Sequence, residues 1–144
     1  MKLRLFFILV FITLASCGSK QPTILSTSTN STSTSLDHVP FENISEYSKN
    51  KNYGLNGENP VKVGDMSVEN QRKYLSSLAG PNGETLQFHR RGSCCPYKSS
   101  NSFMGSALVD VYEVIYEGLE EPILIYISLY DFEKLYLPKG FTKR

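Results

Sequence analysis

Ala107-Leu-Val-Asp-Val-Tyr-Glu-Val-Ile-Tyr116 and Ile123-Leu-Ile-Tyr-Ile-Ser-Leu-Tyr130, joined by Glu117 to Pro122, decide the fold of this chain. Both stretches are rich in β-branched and aromatic residues that fit a pleated surface. Side chains alternate across a strand, so Ile123, Ile125, Ile127 and Leu129 form one wholly apolar face, while Leu124, Tyr126, Ser128 and Tyr130 form a mixed one. The short connection predicts an antiparallel hairpin. Asp110 and Glu113 stand three apart and therefore point to opposite faces, which prevents them from acting as a carboxylate pair across one substrate. One of the two faces inward and needs an arginine or backbone amides to hold it, because an uncompensated buried carboxylate is costly. Antiparallel pairing would gather Tyr112, Tyr116, Tyr126 and Tyr130 on a common face as an aromatic ladder. Such a ladder serves either as cross-strand packing or as a stacking surface for a sugar or peptide.

Upstream of the hairpin, Ser67 can cap a helix over Val68 to Ala79, with Val68, Gln71, Tyr74, Leu75 and Leu78 on one face at helical spacing. Gly80-Pro81 stops it, and Pro81-Asn82-Gly83 turns the chain into a half-buried strand over Glu84 to His89. The helix is expected to cover the aliphatic face of the sheet. Leu135 to Leu137 adds a short edge strand ending at Pro138. Asp37 to Asp65 is broken by Pro40, Gly54, Gly57, Asn59-Pro60 and Gly64 and reads as mostly loop, with one short element around Ile44 to Asn50. The expected architecture is α+β: an antiparallel sheet of about three to five strands with one packed helix.

The amino terminus carries an address. Leu5 to Leu14 is ten residues of almost pure hydrocarbon behind Lys2 and Arg4, which suits a secretory signal and falls short of the ~20 residues needed to span a bilayer. It closes on Leu14-Ala15-Ser16-Cys17, which resembles the lipobox of bacterial lipoproteins. That resemblance implies a signal peptide over 1–16, cleavage before Cys17, and acylation of the Cys17 thiol and of the new amino terminus. Two acyl chains anchor stably, at ~0.8 kcal/mol per buried CH₂. The expected location is the cell envelope, periplasmic or outer surface. From Gly18 to Leu36 serine and threonine dominate, so 17–36 is expected to be the lipidated cysteine with a flexible tether and 37–144 the folded domain. Asn30-Ser31-Thr32 matches a glycosylation sequon by pattern only.

Losing Lys2 and Arg4 with the signal leaves 13 basic residues against 14 acidic ones. A near-neutral chain without charge blocks has no field to hold nucleic acid, so the expected partners are the membrane, through the anchor, and an unidentified protein or small molecule. No cofactor or metal is expected. His38 and His89 are expected to be solvated, and neither has a partner at nucleophile or base spacing, so no catalytic residue is assigned and the chain leans away from being an enzyme.

With Cys17 acylated, Cys94 and Cys95 are the remaining thiols, in a compartment where disulfides persist. Adjacent Cα atoms are 3.8 Å apart across a trans peptide, shorter than the 4.4 to 6.8 Å usual for a disulfide, so a vicinal bridge is strained and comparatively easy to reduce. Pro96 pushes Cys95 toward extended backbone, which tends to point the thiols apart. Three readings stand: a structural pair or strained bridge in a rigid loop, a redox or soft-metal site, and cross-linking to another chain. A catalytic dithiol is usually C-x-x-C, and a structural zinc site needs about four ligands where His89 is the nearest histidine. Arg90 and Arg91 favour reactivity by lowering a neighbouring thiol's pKa.

Asn59-Pro60-Val61-Lys62-Val63-Gly64, Arg72-Lys73-Tyr74-Leu75, Leu78-Ala79-Gly80-Pro81-Asn82-Gly83, Gly92-Ser93-Cys94-Cys95-Pro96, Asp110-Val111-Tyr112-Glu113-Val114 and Gly140-Phe141 together resemble a family of small uncharacterised bacterial proteins, often lipoproteins. The likeness covers Glu46 to Thr142. Some of those proteins carry the name 2-dehydro-3-deoxyphosphooctonate aldolase. Such an aldolase is similar to (β/α)₈ barrels, which take about 200 residues or more. A domain of 108 residues is too short for one, so the resemblance transfers no catalytic residues. The function read from the sequence is a membrane-anchored binding or structural module, with thiol redox or soft-metal handling second and the aldolase third.

Overall fold

The computed structural model describes residues 40–144. The expected signal, Cys17, the Ser/Thr-rich segment and His38 lie outside the described residues. Within them one helix accompanies a four-stranded sheet and a two-stranded sheet, an α+β arrangement.

The hairpin is β4 (Ser106–Ile115) and β5 (Ile123–Ser128), antiparallel with Asp110 opposite Ile127 and Tyr112 opposite Ile125. That register places Asp110, Tyr112, Val114, Ile125 and Ile127 on one face, and the last four enter the main core. It also overturns the tyrosine ladder. Tyr126 stands opposite Val111, so it projects from the face away from Tyr112 and Tyr116.

Beyond β4 lies β3 (Gln87–Lys98), which begins later than expected and continues through Cys94, Cys95 and Pro96 as the edge of the sheet. Its pairing with β4 slips twice, between Arg90 and Gly92 and between Cys94 and Tyr97, each slip leaving one extra β3 residue without a partner. At the other edge, β1 (Val61–Lys62) runs parallel to β5. The sheet is therefore mixed and not wholly antiparallel. Two residues give no readable alternation, but Val61 is fully buried and its pairing with Ile127 draws the strand in.

Helix α1 (Val68–Ser76) starts as expected, with the Ser67 hydroxyl accepting from the Asn70 amide at 3.1 Å. It ends three residues short of Ala79. The Ser77 hydroxyl donates to the Lys73 carbonyl at 2.7 Å, and the chain straightens into β2 (Leu78–Ala79), which pairs antiparallel with the terminal β6 (Thr142–Lys143). Leu135 to Leu137 forms no strand of the main sheet. Leu137 instead exchanges backbone hydrogen bonds with Glu46 and Ser48, at 2.8 and 3.2 Å.

Tyr74 and Leu75 of α1, Ile44 of the first loop and Phe141 near the end join the sheet residues in one core, each at most 1 % exposed. Burying such a side chain is worth roughly 1.5–3 kcal/mol. The Tyr74 hydroxyl reaches the core with a partner, donating to the Tyr136 carbonyl at 2.8 Å.

Candidate functional site

The site runs from Arg90 on β3 to Ser99 just past it, and two carboxylates hold it. On one side is Asp110, the inward member of the Asp110 and Glu113 pair. Arg90 donates to Asp110 Oδ1 from Nε at 3.1 Å and Nη2 at 2.7 Å, and the Ser93 hydroxyl donates to the same oxygen at 2.7 Å. The Gln71 side-chain amide donates to Oδ2 at 2.9 Å, and its carbonyl oxygen accepts from the Tyr112 hydroxyl at 2.8 Å. Burial alone would raise the Asp110 pKa. The bonds from Arg90, Gln71 and Ser93, with the Arg90 charge, outweigh it and hold the carboxyl below its ordinary value. The same pairing, led by the hydrogen bond to Asp110, raises the Arg90 pKa.

On the other side is Asp131, just past β5. Tyr97, Ser99 and Asn101 donate to it at 2.7, 2.8 and 2.8 Å. Desolvation pushes against ionisation, but these donors and then Lys62 keep its pKa low. The Tyr97 hydroxyl also lies 2.6 Å from Ser128 Oγ, Lys62 sits 5.7 Å over its ring, and burial raises its pKa to about 12.

Between these clamps Cys94 and Cys95 are bridged, with Cα atoms 3.7 Å apart and no cis peptide among the described residues. Cys95 is not extended. Its φ is +54°, in the left-handed region where a side chain costs of order 1–3 kcal/mol. The extra residue between Cys94 and Tyr97 has to turn the strand, and that demand overrides the preference that Pro96 imposes. Cys94 is half-buried and Cys95 exposed. The loop after Gly54 presses on the bridge: a Cβ on Gly57 would overlap the Sγ and Cβ of Cys95.

His89 is exposed, its Nε2 3.9 Å from Glu113 Oε1, and Arg91 Nη1 is 4.0 Å from Glu113 Oε2. Both arginines expected to activate the thiols thus face carboxylates, Arg90 at Asp110 and Arg91 at Glu113. Among the described residues no three of His, Cys, Asp and Glu gather as a metal site, and no helix is long and apolar enough to cross a membrane.

Sequence reasoning did not find Gln71, Ser93, Tyr97 or Asp131. Gln71 left a signal, since an amide in the middle of an apolar helix face, here fully buried, needs polar partners across the core. Compared with protein-family models, curated proteins and solved structures, the chain matches none.

Proposed function

We propose that this chain is an envelope lipoprotein, carried on acylated Cys17, whose domain is a binding module with the bridged Cys94-Cys95 segment as its contact surface. The observation that supports this reading is the double clamp, in which Asp110 fixes Arg90 and Ser93 before the bridge and Asp131 fixes Tyr97 and Ser99 after it. A segment held on both sides loses little conformational entropy when a ligand docks, which is what preorganisation contributes to affinity. The partner expected is a protein or small molecule, and the likeness to small bacterial lipoproteins carried by the Gly92-Ser93-Cys94-Cys95-Pro96 motif supports the envelope reading.

Reversible thiol chemistry is the second reading, favoured by the exposure of Cys95 and its left-handed backbone. An external thiolate would attack one sulfur and release the other as thiolate, and a second external thiol would complete a two-electron reduction to the dithiol with the external pair oxidised to its own disulfide. Intact mass of the chain taken from membranes under alkylation separates the two. A bridge in every molecule, lacking two hydrogens and inert to mild thiol, is the result expected of a static contact surface. A population that shifts with added thiol moves the assignment to redox chemistry, and two permanently free thiols overturn both. Palmitate labelling checks the anchor separately, since labelling that persists in Cys17→Ala removes it.

A further inference from the structure

A finger of chain, Gly54 to Asn59, reaches across the sheet. Its base is at β5, where the Gly54 amide donates to the Asn59 carbonyl at 2.7 Å and the Gly54 carbonyl accepts from the Tyr126 amide at 2.8 Å. Its tip is at β3, where Gly57 lies so close to Cys95 that a Cβ would overlap the Cys95 Sγ and Cβ. β4 runs between β5 and β3, so the finger crosses it. Val109 and Val111 of β4 face away from the main core, Val109 opposite Cys94 and Val111 opposite Tyr126, yet they are 0 and 8 % exposed. The finger lies over this apolar strip. Asn56 stitches the finger to itself, its Oδ1 accepting from the Asn59 amide at 3.0 Å and from the Asn59 side chain at 2.9 Å. Among the described residues no hydrogen bond joins 55–58 to β3 or β4, so the tip is seated by its contact with the bridge.

We infer that the Cys94-Cys95 bridge is a redox-operated latch: oxidised, it seats the finger over Val109 and Val111, and reduced, it lets the finger lift and bares them. The inference deepens the thiol reading of this segment and rests on it, with an external dithiol as the reductant. That dithiol gives up two electrons and two protons and leaves as a disulfide, while each sulfur of the bridge becomes a thiol. Two thiol sulfurs cannot stay at bonding distance, so Cys95 has to move. The bulge and the bond together hold its backbone at φ +54°. With the bond gone, the preference of the residue before Pro96 for extended backbone is opposed by the bulge alone. The seat at Gly57 has no room for a methyl, so a sulfur that swings toward the finger lifts it and one that swings away unseats it. An apolar strip bared only under reducing conditions gives the module a second binding state at the same segment.

The full chain in detergent micelles, with its valine and isoleucine methyl groups isotopically labelled, tests this by nuclear magnetic resonance in the presence of a soluble gadolinium chelate. A water-soluble phosphine reduces the bridge whether or not a thiol does, taking the oxygen of water onto phosphorus and leaving its two protons on the sulfurs, and intact mass under alkylation verifies two free thiols. On reduction the paramagnetic broadening at the Val109 and Val111 methyls is expected to rise at least threefold, while Val114 and Ile125 of the main core stay shielded. Cys94→Ser/Cys95→Ser should show the opened pattern without reductant. Free thiols with Val109 and Val111 still shielded overturn the latch and leave the thiol reading standing. Broadening at all four residues means that the bridge holds the whole domain, which also overturns the latch. A finger that opens with the phosphine but not with dithiothreitol overturns the thiol reading, and with it the latch as a regulated device.

Discussion

Gln71 on α1 and Asp110 on β4, 39 residues apart in sequence, meet inside the domain at 2.9 Å, the amide donating to the carboxylate. The Gln71 amide thereby fastens the helix to the sheet within an apolar interface, its oxygen accepting from Tyr112 of the same strand, and the carboxylate continues outward to Arg90 and Ser93.

Asp110→Asn removes the charge that these donors converge on. Hydrogen bonds to charged groups contribute about 1.5–3 kcal/mol, so a loss in that range is expected in urea unfolding. Glu113→Gln alters a carboxylate on the other face with contacts no closer than 3.9 Å, and its change should stay within about 0.5 kcal/mol. Equal losses would remove the distinction between the two.

Tyr112→Phe keeps the buried ring but leaves Gln71 Oε1 without its donor. A buried acceptor left unmade costs about 1–3 kcal/mol. Tyr126→Phe, on the half-buried opposite face, should be nearly silent in the same thermal melts.

Gly57→Ala drives a methyl into Cys95. Overpacking of this kind costs roughly 1–3 kcal/mol. In a Cys94→Ala/Cys95→Gly background the obstacle is gone and the cost should largely disappear. A double-mutant cycle of unfolding free energies reads the coupling, and additive effects would show that the loop does not bear on the bridge.

Acid weakens the fold through Asp110 and Asp131. Both have folded pKa values below the ordinary carboxylate value, so the stability they contribute is fully present above the unfolded-state pKa of about 3.9 and is lost as pH falls through the folded values. Glu133, raised chiefly by burial, acts in the opposite direction and gives up stability as pH rises through its folded value. Denaturation midpoints should therefore fall steeply below about pH 4, and Asp110→Asn/Asp131→Asn should flatten that limb.

The hairpin was legible because ten and eight residues of alternating apolar side chains leave little choice of face. So were the Ser67 cap, the turn at Pro81-Asn82-Gly83 and the need of an inward carboxylate for donors, though not the stop at Gly80, which the helix never reaches. β1 was not, since two residues carry no period and its parallel partner lies more than sixty positions away. The end of α1 was hidden for a related reason: Leu78 continues the helical apolar face, and only pairing with Thr142 and Lys143 shows why the chain straightens there. At the site, Cys94 and Cys95 were visible as a pair but the geometry of Cys95 was not, because Pro96 predicts one backbone and the slip in register imposes another.

The irregular outer strand has one more consequence. β3 is twelve residues long at the margin of the sheet, a length that in regular form would invite a neighbouring molecule to continue the hydrogen-bonded ladder. Two bulges break the row of amides and carbonyls, and Pro96 withholds an N–H. The same kinks that present the bridge thus make the margin a poor template for a second copy's strand.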